Sequence, residues 1–98
     1  MRKNSLKSTM INSEVMKAVS EIIRGEVKDP RVAPLTSVTD VKVTTDLKYA
    51  TVYISVLGNK GGKTLEGLKS SSGFIRKELA RRLNLRNTPE LRFLLDES

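Results

Sequence analysis

Ninety-eight residues, 38% of them apolar and 30% charged, suffice for one domain with a single modest core. Eighteen Lys and Arg against eleven Asp and Glu leave a net charge of +7, the balance of a domain steered toward a polyanion such as nucleic acid. With no histidine, cysteine or tryptophan, the chain lacks the commonest general base, disulfides, soft metal ligands and the aromatic anchor of a membrane-surface helix, and no apolar run approaches the ~20 residues of a membrane span.

Ile11, Val15, Ala18, Val19, Ile22 and Ile23 recur at helical spacing and predict an amphipathic helix from about Leu6 to Val27. Asn12, Glu14, Lys17, Glu21 and Arg24 fall outside its apolar stripe. Asp29-Pro30 ends the pattern, because proline disfavours α conformation in the residue before it. Residues 36–45 then read as a strand, with Val41 and Val43 on one face and Asp40, Lys42 and Thr44 on the other. Val38 has the wrong parity for that face, which predicts a bulge or a partly covered second face. After a turn at Thr45-Asp46-Leu47-Lys48, Ala50, Val52, Ile54 and Val56 alternate with Thr51, Tyr53 and Ser55 as a second strand. The pair is expected to be an antiparallel hairpin with helices over its apolar face.

Gly58 to Lys63 reads as a flexible loop and Thr64 as the N-cap of a short helix, Leu65 to Ser70. Ser71-Ser72-Gly73 interrupts that helix, since a glycine beside serines kinks one. A second helix follows from Phe74 to Leu83, in which Ile75, Leu79 and Leu83 form an apolar stripe. Arg76, Lys77, Arg81 and Arg82 stay off that stripe. Asn87-Thr88-Pro89 is a breaker, after which Leu91, Phe93 and Leu95 alternate as a third strand. The order is α-β-β-α-kink-α-β, a single α+β domain over residues 1–98 with a three-stranded sheet covered by helices on one face. The pattern leaves strand order open beyond the hairpin.

Little here supports catalysis. The carboxylates are scattered and read as solvated surface. Gly58-Asn59-Lys60-Gly61-Gly62-Lys63-Thr64 imitates a phosphate-binding loop, but it has three residues where the motif needs four, and Leu57 stands where a glycine is required. Gly58 to Gly61 is also a literal GxxG, yet in KH domains that loop joins two helices, whereas here it joins a strand to a helix. Of the four aromatic residues, Phe74 and Phe93 are assigned to the core and Tyr53 to the less apolar strand face; Tyr49 completes the set. Recognition is therefore expected through phosphates and RNA shape. Glu78 and Arg82, four apart, are expected to pair, while Arg76, Lys77, Arg81 and Arg86 have no local acid beyond Glu78 and Glu90. At least two of these four are expected on phosphates.

Four segments together carry a resemblance. Val27-Lys28-Asp29-Pro30-Arg31 follows the first helix, and Asp46-Leu47 precedes Ala50-Thr51-Val52-Tyr53-Ile54-Ser55-Val56-Leu57. Ser72-Gly73-Phe74-Ile75-Arg76 and Leu85-Arg86-x-x-Pro89-Glu90-Leu91-x-Phe93-x-x-Asp96-x-Ser98 come later. In order and spacing they resemble the bacterial ribosome-binding factor A family from about Ile11 to Ser98. The resemblance implies a KH-like (type II) domain whose clamp is replaced by an interhelical Ala-x-Gly kink, with Ser71 here in place of the alanine. It also implies a cytoplasmic, non-enzymatic, monomeric factor without cofactor, bound to the small (30S) ribosomal subunit and its 16S rRNA late in assembly. Family members support maturation of the 5′ end of that RNA, matter most in the cold, and are linked to assembly GTPases. By motif and charge, RNA contact is assigned to Arg31, Lys69, Ser72, Gly73, Arg76, Lys77, Arg81 and Arg86. Two departures stand out: Met10 replaces a common basic residue, and the family usually continues into a C-terminal tail beyond the Asp-x-Ser motif. A KH-like binder of single-stranded RNA or DNA outside the ribosome is the second reading.

Overall fold

The apolar period of the first segment produces α1 (Leu6–Gly25) in the computed structural model, which describes residues 6–97. Val15, Ala18, Val19, Ile22 and Ile23 form its buried stripe. The helix stops short of Asp29-Pro30: Glu26 and Val27 N–H both donate to the Ile22 carbonyl (2.8 and 3.1 Å), and the chain leaves at Gly25. Glycine is a poor helix former and a common exit residue, so it outweighs the later proline signal.

β1 (Ser37–Val43) and β2 (Tyr49–Ser55) are the antiparallel hairpin the alternation requires. The parity fault at Val38 is resolved by a bulge between Val38 and Asp40. One extra residue returns Val38 to the face of Val41, so it packs against the core as a partly buried residue. Asn12 of α1 accepts a hydrogen bond from the Val43 N–H (2.9 Å), which occupies a donor on this edge strand. The hairpin turn is held by Asp46, whose carboxylate accepts bonds from the Thr44 hydroxyl (2.7 Å) and the Lys48 N–H (3.0 Å).

Gly61-Gly62-Lys63 belongs to the first turn of α2 (Gly61–Ser70) rather than to a loop. Thr64 is therefore not a cap; it is a fully buried helix residue. Its hydroxyl accepts the Ala33 N–H (3.1 Å) and reaches the Arg31 carbonyl (3.4 Å), which ties the 29–33 connector onto α2. Gly67, one turn later, lets that connector approach; a Cβ there would lie 2.8 Å from Val32. The break falls at Ser71, not at Gly73. Ser71 (φ −93°, ψ 3°) is at once the C-cap of α2 and the N-cap of α3 (Ser72–Arg82). Its N–H donates to the Gly67 and Leu68 carbonyls, and its own carbonyl accepts from Ile75 N–H.

β3 (Glu90–Leu95) pairs parallel to β2 and completes the order β1-β2-β3. Parallel neighbours need a long crossover, which α2 and α3 provide. Ala50, Val52 and Ile54 of β2 and Leu91 and Phe93 of β3 face the core with Val41, Leu68, Ile75 and Leu79. Each of these side chains larger than Ala50 contributes about 1.5–3 kcal/mol by leaving water. Among the described residues the opposite sheet face carries no helix, and cations lie over its tyrosines: Arg92 is 4.1 Å from the centre of the Tyr49 ring and Lys42 is 5.8 Å from that of Tyr53.

Candidate nucleic-acid interface

Ile75 and Leu79 fix the rotation of α3 because both are fully buried. At about 100° per residue, that rotation turns Lys77 directly outward, with Gly73 and Arg81 about 40° to either side and Ala80 about 60° away. Lys77 has two small neighbours on this face, Gly73 one turn before and Ala80 one turn after, with the exposed Phe74 and Arg81 beside them. A Cβ at Gly73 would meet nothing within 4 Å. The glycine is thus an open surface position here, and the kink at Ser71 does not depend on it.

The flanks of α3 treat their cations differently. Arg76 faces the loop before β3 and donates twice to the Thr88 carbonyl (3.2 and 2.8 Å), holding that loop against the helix. Arg81 pairs with Glu78 (3.1 Å) but keeps a side chain 71% exposed. Since guanidinium has five donors, one such bond leaves it able to meet a phosphate. Arg82 does not pair with Glu78 as the spacing suggested. It reaches α1 instead, bonding Glu21 (3.2 Å) and Glu26 (2.6 Å), and so fastens the two helices together. Glu78 goes to Arg81 because the two are three apart on the same outward flank, while Arg82 turns toward α1.

Lys69 ends α2 across the kink, and Arg86 sits in the loop after α3; both are exposed, and neither has a hydrogen bond or ion pair among the described residues. Lys77 is in the same condition. Arg31 is not free. Its guanidinium donates to both oxygens of Asp29 (3.0 and 2.7 Å), and its N–H donates to the same carboxylate (2.9 Å). These bonds hold the half-buried Asp29 carboxyl down at about 2. Ser72 is half-buried at the first turn of α3. The structure thus gathers Ser72, Gly73, Arg76, Lys77 and Arg81 on one helix, with Lys69 and Arg86 at its two ends and Arg31 on the connector packed against α2 at Gly67.

Two features escaped the sequence reading. Phe74 is 44% exposed and is not a core residue, in contrast to Phe93. It lies one step around the helix from Ile75, on the flank that faces the end of α1. Lys28 joins it there, lining a hollow of about 560 Å³ between that end and α3. No periodicity could reveal a contact between segments so far apart in sequence.

Comparison with known proteins agrees with this architecture. The family model described as ribosome-binding factor A matches residues 7–98. A ribosome-binding factor A from Lachnospira eligens is 59% identical, with all of this chain and 77% of the relative covered. A solution structure from Thermotoga maritima, described as a ribosome binding factor A, superposes with a TM-score of 0.84 at 31% identity, covering 100% of this chain and 94% of that one. A homology model of the Thermus thermophilus factor, fitted into a cryo-EM map of its complex with the 30S subunit, gives a TM-score of 0.72 at 29% identity, covering 85% and 88%. With the match running through every element from α1 to β3, the chain belongs to the ribosome-binding factor A family.

Proposed function

We propose that this chain is a non-catalytic assembly factor that binds the small ribosomal subunit through 16S rRNA during late maturation, using the outward face of α3 and the cations at its ends. The observation that carries the reading is the exposed set Lys69, Lys77 and Arg86, unpaired among the described residues and placed on α3 and at its two ends in a domain of net charge +7, in a chain similar to one fitted into a 30S complex. Arg81 joins them through its free donors, and Ser72 and Gly73 offer a bare backbone surface at the start of the helix. Arg76 and Arg31 act first as braces, of the 88 loop and the 29–33 connector, and present their remaining donors to the RNA. In this role the factor supports 5′-end processing of the RNA and growth in the cold. It works as a cytoplasmic monomer and leaves the particle with the help of assembly GTPases.

Co-sedimentation with purified immature and mature small subunits tests the reading. Four phosphate contacts predict that affinity falls about 50- to 150-fold between about 50 and 200 mM salt. The doubly reversed Lys77→Glu/Arg81→Glu chain, with its fold checked by circular dichroism, is expected to lose binding. Affinity indifferent to salt, or tight binding to short single strands with no preference for subunits, defeats the proposal.

A further inference from the structure

Phe74 poses a question that the charges on α3 do not answer. It is 44% exposed, while Ile75 and Leu79 next to it already fill the space beneath the helix. Its ring gains little for the fold from this position. Instead it forms one wall of the hollow between α3 and the end of α1. The floor at Gly25 is bare backbone, with nothing within 4 Å of where a Cβ would stand. The hollow, of about 560 Å³, is an open groove rather than an enclosed cavity.

The charge around the ring is sorted. Both acids of the hollow are occupied: Glu78 by Arg81 and Glu26 by Arg82. Lys28 has no partner among the described residues, and Arg81 retains free donors at 71% exposure. An aromatic face with an unbalanced ammonium and a guanidinium at its rim has the makings of a nucleotide site: a ring for the base and cations for its flanking phosphates. We infer that Phe74 stacks an unpaired RNA base in this hollow, with Lys28 and Arg81 on the adjoining phosphates. The site rests on the proposed rRNA contact of α3 and adds a base-binding element on the flank that carries Arg81.

The chain has no tryptophan, so Phe74→Trp installs a unique fluorophore in the wall of the hollow. Titrated with immature small subunits, its emission is expected to be strongly quenched by the stacked base. Phe74→Leu keeps the apolar cover and removes the stacking face. It is expected to weaken binding about tenfold at every salt concentration, with the slope of affinity against salt unchanged because stacking is not ionic. Gly25→Leu places an apolar side chain in the hollow while leaving Phe74 and every charged residue unsubstituted, and should cause a similar loss with no fall in melting temperature. Emission that shifts to the blue without quenching would identify an apolar protein surface as the occupant and overturn the inference. If both leucine variants bind as the wild type does, with its steep salt dependence, the base site is refuted while the rRNA reading survives. A wild-type chain that binds no subunit refutes both.

Discussion

Replacing Gly67 by alanine tests whether the connector before β1 is packed against α2 as closely as the structure has it. The new Cβ would lie 2.8 Å from Val32 Cγ2, 3.2 Å from Arg31 Cβ and 3.2 Å from Asp29 Oδ1. Carbon contacts are optimal at about 3.5–4.0 Å, so three atoms of one short segment must retreat together. That segment cannot move freely, since Thr64 holds Ala33 and Arg31 holds Asp29. Overpacking of this kind costs about 1–3 kcal/mol. Alanine recovers about 1 kcal/mol of helix propensity, which leaves a net loss of about 0–2 kcal/mol. For a domain of this size the melting temperature should fall by up to about 16 °C. Thermal and urea unfolding read the effect, with the urea m-value unchanged because the unfolded surface is the same. Gly73→Ala is the control: its Cβ meets nothing within 4 Å, so the propensity gain is kept and the melting temperature should hold or rise. A Gly67→Ala chain as stable as Gly73→Ala would refute the close approach.

The remaining predictions concern charge. Asp29 is held at about 2 by its bonds from Arg31, below its ordinary 3.8. A depressed carboxyl contributes stability that is present above pH 3.8 and is lost as pH falls toward 2; Asp46, lowered by its bonds from Thr44 and Lys48, acts in the same direction. Acid titration of the melting temperature should therefore fall less steeply below pH 4 in Asp29→Asn than in the wild type, and equal slopes would dismiss the Arg31 pairing. Arg82→Ala should destabilise the domain by about 0.5–2 kcal/mol through two exposed pairs to α1. Its slope of subunit affinity against salt should stay unchanged, while Lys77→Ala should leave stability alone and lower that slope by about 0.7–0.9. The reverse assignment would mean that the two cations had been given each other's work.

Most of the fold was legible because its signals are local. A helical stripe from Ile11 to Ile23 and strict alternation from Ala50 to Val56 admit few alternatives, and the parity fault at Val38 announced the bulge. The misses share a cause, which is that the deciding partner is distant in sequence. Thr64 resembles an N-cap, but the Ala33 N–H 31 residues away takes its hydroxyl and draws it inside the helix. Glu21 and Glu26 claim Arg82 across 61 and 56 residues, against a Glu78 only four away. Phe74 looked like core because aromatic residues usually are; its exposure follows from the buried positions of Ile75 and Leu79, which fix the rotation of the helix. The parallel pairing of β3 with β2 was likewise open until the crossover through Ser71 was placed.

The same rotation explains why the candidate surface was only half legible. Sequence counts cations, whereas α3 sorts them by angle. Lys77 at the crest has no ion pair among the described residues; Arg76 and Arg81 find one partner each, the Thr88 carbonyl and Glu78; Arg82, nearest the core side, meets Glu21 on α1 and Glu26 just past it and is consumed. A helix with four cations thus presents one free charge at its crest, two that can be shared and one that serves the fold. Charge added at the crest should strengthen binding to a polyanion, and Ala80→Lys, one turn from Lys77, is the position where it can do so without breaking a bond the domain needs.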